Sequence, residues 1–501
     1  MIVAEGESGR AGAGAGDEGP VRIVVAGGSA AGLFASLLLA RAGHEVTVLD
    51  RDPLDPAPDL ESAAEDAFRA AAPQIVQPHA VLPLCRELLM QRLPDVYAAL
   101  IAAGVAEAPL STQMPPLMRD RSARPGDERL TMLMTRRSTM DWVLRRTAHA
   151  QPNLTVRGGV QVSGLLATAG QPPHVGGVST DHGDVHADLV IDATGRRSPI
   201  DRWLAAIDAT QTAVSEAECG VAYYSRHFRL RTTTDLPGPP TTRIVAGLDE
   251  FTVGIWGGDN ATMLMAIAPL VEDKRFRAVA DPAVFTAVAR TVPVYAAWLD
   301  VMEPITPIYP MGGLHNTLRR LVVDRTPVAT GLHALGDTVC TTNPTLGRGL
   351  ALALQSAADL VEAIDQHGDR WADLAIALDE QVSDHVEPFY RDQADIDGQR
   401  LAMLRRAIFG VTSPQPEPTE PTEPTEARVT FAQLRTAAMH DPVVFRAFWQ
   451  VMGMLSRPDD IYTDPAVIAR TLDTIRDHDA TPLIVQPSRE ALHAALATKT
   501  P

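Results

Sequence analysis

The stretch VVAGGSAAGLFASLLLARAGHEVTVLD, residues 24–50, decides how the chain is read. It runs as a β-branched strand, a glycine turn, an apolar helix ending at Gly43 and a second strand, HEVTVLD. Gly27, Ser29 and Gly32 follow the spacing G-x-G-x-x-G, with serine in place of the middle glycine. In that pattern the first glycine makes the tight turn, and the last lets the helix pack closely on its strand. The middle residue must be small so that the backbone can approach a pyrophosphate. Gly27, Gly28, Ser29, Ala30, Ala31 and Gly32 are therefore the candidate pyrophosphate loop, at the positive end of a helix with free N–H groups. Asp50 closes the second strand, eighteen residues past Gly32, and Arg51 follows it. A carboxylate there suits a ribose diol and repels a 2′-phosphate. Strand, turn, helix, strand and acid stand in order, which separates this turn from an ordinary β-α-β connection.

Outward from this unit the chain divides by composition. Residues 1–20 are Gly/Ala-rich and acidic and lack the basic start and apolar centre of a signal peptide, so a disordered tail is expected. Residues 21–210 read as the first part of a nucleotide-binding domain, with a Pro- and Asp-rich loop over 51–80 and a helical insertion over 81–150. Residues 211–310 carry β-type runs such as VAYYSRHFRL and FTVGIWGG and read as a β-sheet substrate domain. Residues 311–410 return to the nucleotide domain. Residues 411–428 hold the run PQPEPTEPTEPTE, a solvated Pro/Thr/Glu-rich loop, and residues 429–501 read as a C-terminal helical region. The expected class is α/β, a Rossmann-like domain interleaved with a β-sheet domain and followed by helices.

Bulk properties exclude several functions. Across 501 residues the formal charge is −18, which disfavours polyanionic partners such as nucleic acid and anionic membrane surfaces. Three separated cysteines (Cys85, Cys219, Cys340) form no disulfide framework and no zinc ribbon. No apolar run has the length of a membrane span. Together these point to a cytoplasmic protein. The 14 histidines show no H-E-x-x-H spacing, and His182 and His186 fall in a strand-like region, so no metal site is expected. No Ser-His-Asp set is found.

Two further segments refine the nucleotide reading. ADLVIDATGRRSPI, residues 187–200, is a buried strand followed by a turn and an arginine pair. LHALGDTVCTTNPTLGRGLALALQSAADLVEAI, residues 332–364, is a strand end, a Gly-Asp pair, a proline loop, Gly-x-Gly and a long helix. Asp337 after the strand suits a ribityl hydroxyl, with Gly336 before it. Gly347 and Gly349 before the helix expose N–H groups that suit the negative charge of a reduced flavin.

Taken together and in this order, the three segments resemble the FAD-dependent monooxygenases with the para-hydroxybenzoate hydroxylase fold, over roughly residues 21–405. The resemblance implies that the glycine turn holds the FAD pyrophosphate and Asp50 the adenosine ribose. It implies an FAD-contacting arginine in RRSTMDWVL, which is Arg137, with Arg136 competing, and an adenine contact near Val162. Gly336, Asp337, Pro344, Gly347, Arg348, Gly349 and Leu350 map to the flavin segment, the last four through their backbone. The middle motif is DATG, where the family commonly has ADG, and Cys340 stands where the family often has histidine. Both variants, and the loop RAAAPQIVQPHAVL with Arg69, Pro73, Gln74 and His79, are similar to a branch that includes bacterial polyether epoxidases.

The implied activity is transfer of one oxygen atom from O2 to an organic small molecule through a flavin C4a-(hydro)peroxide. FAD is then the cofactor and NAD(P)H the transient reductant, or a separate flavin reductase supplies reduced flavin. No protein residue is assigned as catalytic, because the flavin performs the chemistry. The alternative is an FAD-dependent reductase of an isoprenoid-type double bond. A flavin halogenase shares the fold but uses an N-terminal-half lysine and a Trp-x-Trp-x-Ile-Pro motif, whereas the only lysines here are Lys274 and Lys499.

Candidate substrate residues are Tyr223, Trp256 and Tyr309. Alternation in YYSRHFRL places Tyr223, Ser225, His227 and Arg229 on one face, and an exposed face with Tyr224 and Phe228 in the core is favoured over a pocket wall. Few charges fall in these strands, which suggests an apolar substrate. Cys340 has no activating base or partner cysteine nearby in sequence and reads as a packing residue.

Overall fold

The structure is a computed structural model that describes residues 19–69, 72–115, 118, 120–411, 427–478 and 484–498. All but Gly19 and Pro20 of the expected tail, and residues 412–426 of the Pro/Thr/Glu-rich loop, lie outside the described residues.

The strand Arg22–Ala26 is buried after its first residue and pairs in parallel with Glu45–Asp50 on one side and Leu189–Asp192 on the other. Leu154–Gly158 extends the sheet past Glu45–Asp50, and Leu332–Ala334 extends it past Leu189–Asp192. All five strands are parallel, and the run LVID is buried at every position, as expected for strands covered on both faces. The first strand is central, and the chain leaves it toward opposite edges. Its carboxyl end is thus a topological switch point, where ligands of such sheets bind.

Two helices start at that end. Ala30–Arg41 is apolar all round and buried along almost its whole length, which suits a helix packed between layers. Gly349–His367 packs against it and buries Leu350, Leu354, Ala357 and Leu360. The region 81–150 contains the helices Pro83–Arg92, Pro94–Ala102 and Arg137–Ala150, and also a small sheet of Ala80–Val81, Ala106–Ala108 and Met132–Met134.

A second, antiparallel sheet is built from Arg243–Gly247, Phe251–Gly257, Thr262–Pro269, Tyr223–Leu230 and Met302–Pro304, with Tyr309–Met311 also pairing with Tyr223–Leu230. One face packs on the helices Pro282–Arg290 and Pro293–Asp300 and forms a separate core that includes Phe228, Phe251, Ile255, Met265, Phe285 and Trp298. The opposite face looks toward the nucleotide domain. A long helix, Glu387–Phe409, runs back along the boundary, and the helices Phe431–Ala438, Pro442–Met452, Pro465–Asp477 and Arg489–Leu496 follow. Among the described residues no helix is long and apolar enough to cross a membrane.

Candidate active site

The glycine turn is fixed by sterics. Gly27 has φ +110°, and a Cβ there would lie 2.4 Å from the Ala193 carbonyl oxygen. A Cβ on Gly32 would lie 1.9 Å from the carbonyl oxygen of Gly27, so neither position accepts another residue. Ser29 caps the helix in an extended conformation, and its side chain makes no capping hydrogen bond. Leu33 N–H bonds to the Ser29 carbonyl, while helix geometry leaves the N–H groups of Ala30, Ala31 and Gly32 without intrahelical acceptors. This is the free donor set that a pyrophosphate needs.

Asp50 stands beside that turn. Its carboxylate accepts the Gly28 N–H at 2.7 Å, the Asp52 N–H at 2.8 Å and Arg69 Nη2 at 3.0 Å. Arg69 also reaches Asp52 through Nε at 2.8 Å, and its Nη1 is buried without a partner. The loop that carries Arg69 therefore meets the acid at the strand end, while Arg51 is exposed. Val160 N–H donates to the Asp50 carbonyl at 2.9 Å. Val162 lies two residues further on, at the start of the strand Val162–Thr168 in a separate small sheet.

The Gly-Asp turn closes the other side. Gly336 has φ +62°, and a Cβ there would come within 2.7 Å of the Ala31 Cβ, so the turn presses directly on the first helix. Thr338 Oγ1 accepts the Gly195 N–H at 2.9 Å, which ties this turn to the DATG turn. Asp192 of that motif is fully buried, and its carboxylate accepts the Thr194 N–H at 2.9 Å, the Thr194 hydroxyl at 2.6 Å and the Ser198 hydroxyl. The aspartate in the DATG variant thus shapes its own turn. Asp337 is half-buried, and burial pushes its carboxyl above the usual range, against the pull of Arg137 and Arg196. Its carboxylate stands beside the start of the helix Gly349–His367.

Arg137 opens the helix Arg137–Ala150 and donates from Nε to Asp141 at 2.6 Å. It lies close enough to Asp337 and His79 to shift both, and burial with Arg137 lowers His79 to about 4. Arg136 turns the other way. Its Nε donates to Asp259 Oδ1 at 2.9 Å and its N–H to Asp259 Oδ2 at 2.7 Å, in the turn after Phe251–Gly257. Of the two competing arginines, Arg137 lies toward Asp337 and His79, and Arg136 toward the second sheet.

Pro344 begins a single 3-10 turn, Pro344–Leu346, which ends at Gly347 with φ +78°. Leu350 is buried on the first turn of the following helix. The Arg348 side chain points away from the turn, fully buried against Asp392 and the Phe389 carbonyl, so only its backbone faces the nucleotide side. Cys340 is a buried free thiol, pushed up by burial and by Asp337.

Between this turn and the second sheet lies a cavity of about 560 Å³, part of it open to solvent. The residues Pro344 to Gly347 form one wall and Gln77, Pro78 and Ala80 another. The sheet supplies the floor, including Tyr223, Gly254, Trp256, Ala266 and Ala268. The expectation of an exposed face on YYSRHFRL is corrected here. Tyr223, Ser225 and His227 are 6%, 0% and 6% exposed, the first against Asn343 and Thr345 and the other two beneath residues 76–77. Ser225 donates to Gln77 Oε1 at 2.5 Å, and His227 Nε2 donates to the Val76 carbonyl at 3.0 Å. Tyr223 donates to Asn343 Oδ1 and lies 3.0 Å from the Thr345 hydroxyl. Tyr309 stands behind the wall, where its carbonyl accepts Gln77 Nε2 at 3.2 Å.

Several lining residues had no clear sequence signal. Gln74 is half-buried on the turn Pro73–Val76, and Gln77, three residues on, is the glutamine that reaches the cavity. Asn343 caps the turn Pro344–Leu346 and donates from Nδ2 to the buried Asp397 at 2.8 Å. Arg243 lines the cavity from the edge strand of the sheet.

Similar proteins were found by sequence and by structure. Protein Rv3254 of Mycobacterium tuberculosis is 25% identical over 474 residues, spanning 89% of this chain and 91% of that protein. No protein-family model matches the chain. Among solved structures, PqsL, a probable FAD-dependent monooxygenase from Pseudomonas aeruginosa, superposes with a TM-score of 0.52 at 14% identity, covering 77% of this chain and 99% of that one. The flavin-dependent brominase Bmp2 gives 0.55 at 16% identity, over 91% of this chain and 99% of that one. The flavin-dependent halogenase CmlS gives 0.56 at 15% identity, over 95% and 76%. The fold is that of flavin-dependent monooxygenases and halogenases. At this identity the likeness concerns architecture, and the arrangement of this chain's own residues must argue for its chemistry.

Proposed function

We propose that the chain is an FAD-dependent monooxygenase that adds one oxygen atom from O2 to an organic substrate with an apolar body, by hydroxylation or epoxidation. NAD(P)H, or a separate flavin reductase, provides the electrons. The residues fit the cofactor. The turn at Gly27–Gly32 offers unpaired N–H groups, Asp50 and Arg69 stand beside it, and Asp337 presents a half-buried carboxyl between the two glycine turns. Bound FAD supplies the activation of oxygen, which no side chain here can provide.

The observation that carries the reading is that the turn Pro344–Gly347 is shared. Its backbone continues into the helix start that would receive the flavin ring, and the same residues wall the cavity. A substrate in the cavity would therefore lie against the cofactor. Tyr223, held by Asn343 and Thr345, fixes the edge nearest the turn, and Ala266, Ala268 and the Trp256 ring, which covers Gly254, give an apolar floor. Gln77 and Pro78 cover it and limit access of water.

Halogenation is less well supported. Lys274, the lysine nearest the sheet in sequence, is exposed, and its Nζ donates to the Val271 carbonyl at 2.8 Å. Reduction of an isoprenoid-type double bond would use the same apolar floor and is separated by oxygen. Purified chain incubated with FAD is expected to quench flavin fluorescence saturably. Substrate-stimulated NAD(P)H oxidation should consume O2 and yield products heavier by one oxygen atom. No FAD binding, or turnover undiminished without O2, would reject the proposal.

A further inference from the structure

The cavity floor crosses the second sheet from its centre to its edge. Ser225 pairs with Ala266, Ala266 with Gly254 and Gly254 with Val245, so the row spans four strands. At the spacing of adjacent strands that is roughly 14 Å. Tyr223, on the first of these strands, is tied to the turn Pro344–Leu346. Arg243, on the last, lines the end remote from it.

That remote end is cationic and lacks a counter-charge. The Arg243 side chain makes no hydrogen bond and no ion pair among the described residues, and its guanidinium carbon lies 5.9 Å from the centroid of the Trp449 ring. Arg400, from the helix Glu387–Phe409, reaches the cavity-lining Thr252 through Nη2 at 3.1 Å and also holds the carbonyls of Leu248 and Phe251. Its Nε and Nη1 are buried with no partner, and so is the indole Nε1 of Trp449. Arg435 adds a second positive charge near Arg400, and the acid that acts on Arg400 is the exposed Asp249. Burial lowers both Arg243 and Arg400 to about 10, the expected result for guanidinium groups without a neutralising carboxylate beside them. Buried donors left unpaired cost stability unless a ligand completes them.

We infer that the substrate carries a carboxylate at the end remote from the flavin turn, held by Arg243, while its apolar body lies against Ala266 and the Trp256 ring that covers Gly254. A carboxylate matches the two-pronged geometry of a guanidinium better than a neutral oxygen does. This rests on the oxygenase reading for the identity of the ligand as substrate, but the anion subsite itself is testable without turnover.

The experiment compares decanoate with decan-1-ol, binding to the full-length chain with and without FAD, followed by tryptophan fluorescence. Decanoate is expected to bind at least about ten-fold more tightly than the alcohol, the scale of one charge-assisted contact. Arg243→Gln should remove the difference, and Arg243→Lys should restore part of it. Arg243→Met, which keeps the stem packed on Trp449, is the second variant should the glutamine protein fail to show native circular dichroism. Equal binding of acid and alcohol to the unmodified chain would overturn the inference, as would a preference that survives undiminished in folded Arg243→Gln or Arg243→Met protein. A preference for decanoate in a chain that does not bind FAD would reject the oxygenase reading and leave the subsite standing. FAD binding without the preference would do the reverse.

Discussion

Asp337 sits where three constraints meet: the Gly336 turn against Ala31, the DATG turn held through Thr338, and the start of the helix Gly349–His367. Its carboxyl is half-buried, feels the charges of Arg137 and Arg196, and makes no side-chain hydrogen bond among the described residues. Replacement by alanine removes an acceptor aimed at the cofactor region and creates no large void. Asp337→Ala is therefore expected to weaken FAD affinity about ten-fold or more at unchanged circular dichroism, measured by flavin fluorescence titration. Unchanged affinity would remove its assigned role. Residues of this kind were legible in the sequence because their constraint is local: Gly27 and Gly32 are dictated by atoms a few positions away or on the next strand. Arg243 and Asn343 were not legible, because what gives each its meaning, the unpaired cavity end and Asp397, comes from distant parts of the chain. Arg348 shows the converse. The motif marks its backbone at the start of the helix Gly349–His367, but its side chain belongs to Asp392 and Phe389.

Among the elements, the helix Glu387–Phe409 has the widest reach. Gln393 and Asp397, four residues apart, lie on one face. Asp397 accepts Asn316 Nδ2 at 2.7 Å, Asn343 Nδ2 at 2.8 Å and Gln393 Nε2 at 3.1 Å. Burial nevertheless pushes its carboxyl up to about 6, outweighing these three donors. The unfolded carboxyl ionises near 3.8, so between that pH and about 6 the folded chain holds a proton that the unfolded chain has lost. Stability from this group is present below the unfolded value and falls as pH rises through the window, by at most about 3 kcal/mol. Melting temperature measured from pH 4 to 7 should decline more steeply in the unmodified chain than in Asp397→Asn; parallel curves would exclude this group. Periodicity disclosed that such helices exist and that one face is apolar. It could not disclose that this one reaches back to Asn343 at the turn Pro344–Leu346, since nothing in a helical repeat names its neighbour.

Across the whole molecule, the two domains are joined by a buried ion pair. Arg136 and Asp259 are 2% and 0% exposed, and their side chains approach to 2.8 Å. Removing one partner leaves the other charge buried, so Asp259→Ala should lose about 3–5 kcal/mol, measured as a shift in denaturant midpoint. A loss below about 1 kcal/mol would mean that this ion pair contributes little to holding the domains together. The interleaving of the domains was visible in the order of motifs, because the glycine turn, DATG and Gly-Asp segments all belong to one parallel sheet. The packing of Trp449 and Arg400 against the edge of the second sheet was not, because neither residue carries a motif.

The central sheet also sets a timetable for synthesis. Its strands come from residues 22–26, 45–50, 154–158, 189–192 and 332–334, so neighbours in space are far apart along the chain. Contacts of that kind form late and slowly. The strand Leu332–Ala334 lies next to Leu189–Asp192, and the helix that completes the cradle begins only at Gly349. A ribosome adding about 5–20 residues per second needs on the order of tens of seconds to deliver that glycine. Until then the pyrophosphate turn exists without its opposite wall. On the proposed reading, tight retention of FAD would be an event of late translation or afterwards, and would report that both ends of the sheet have found each other.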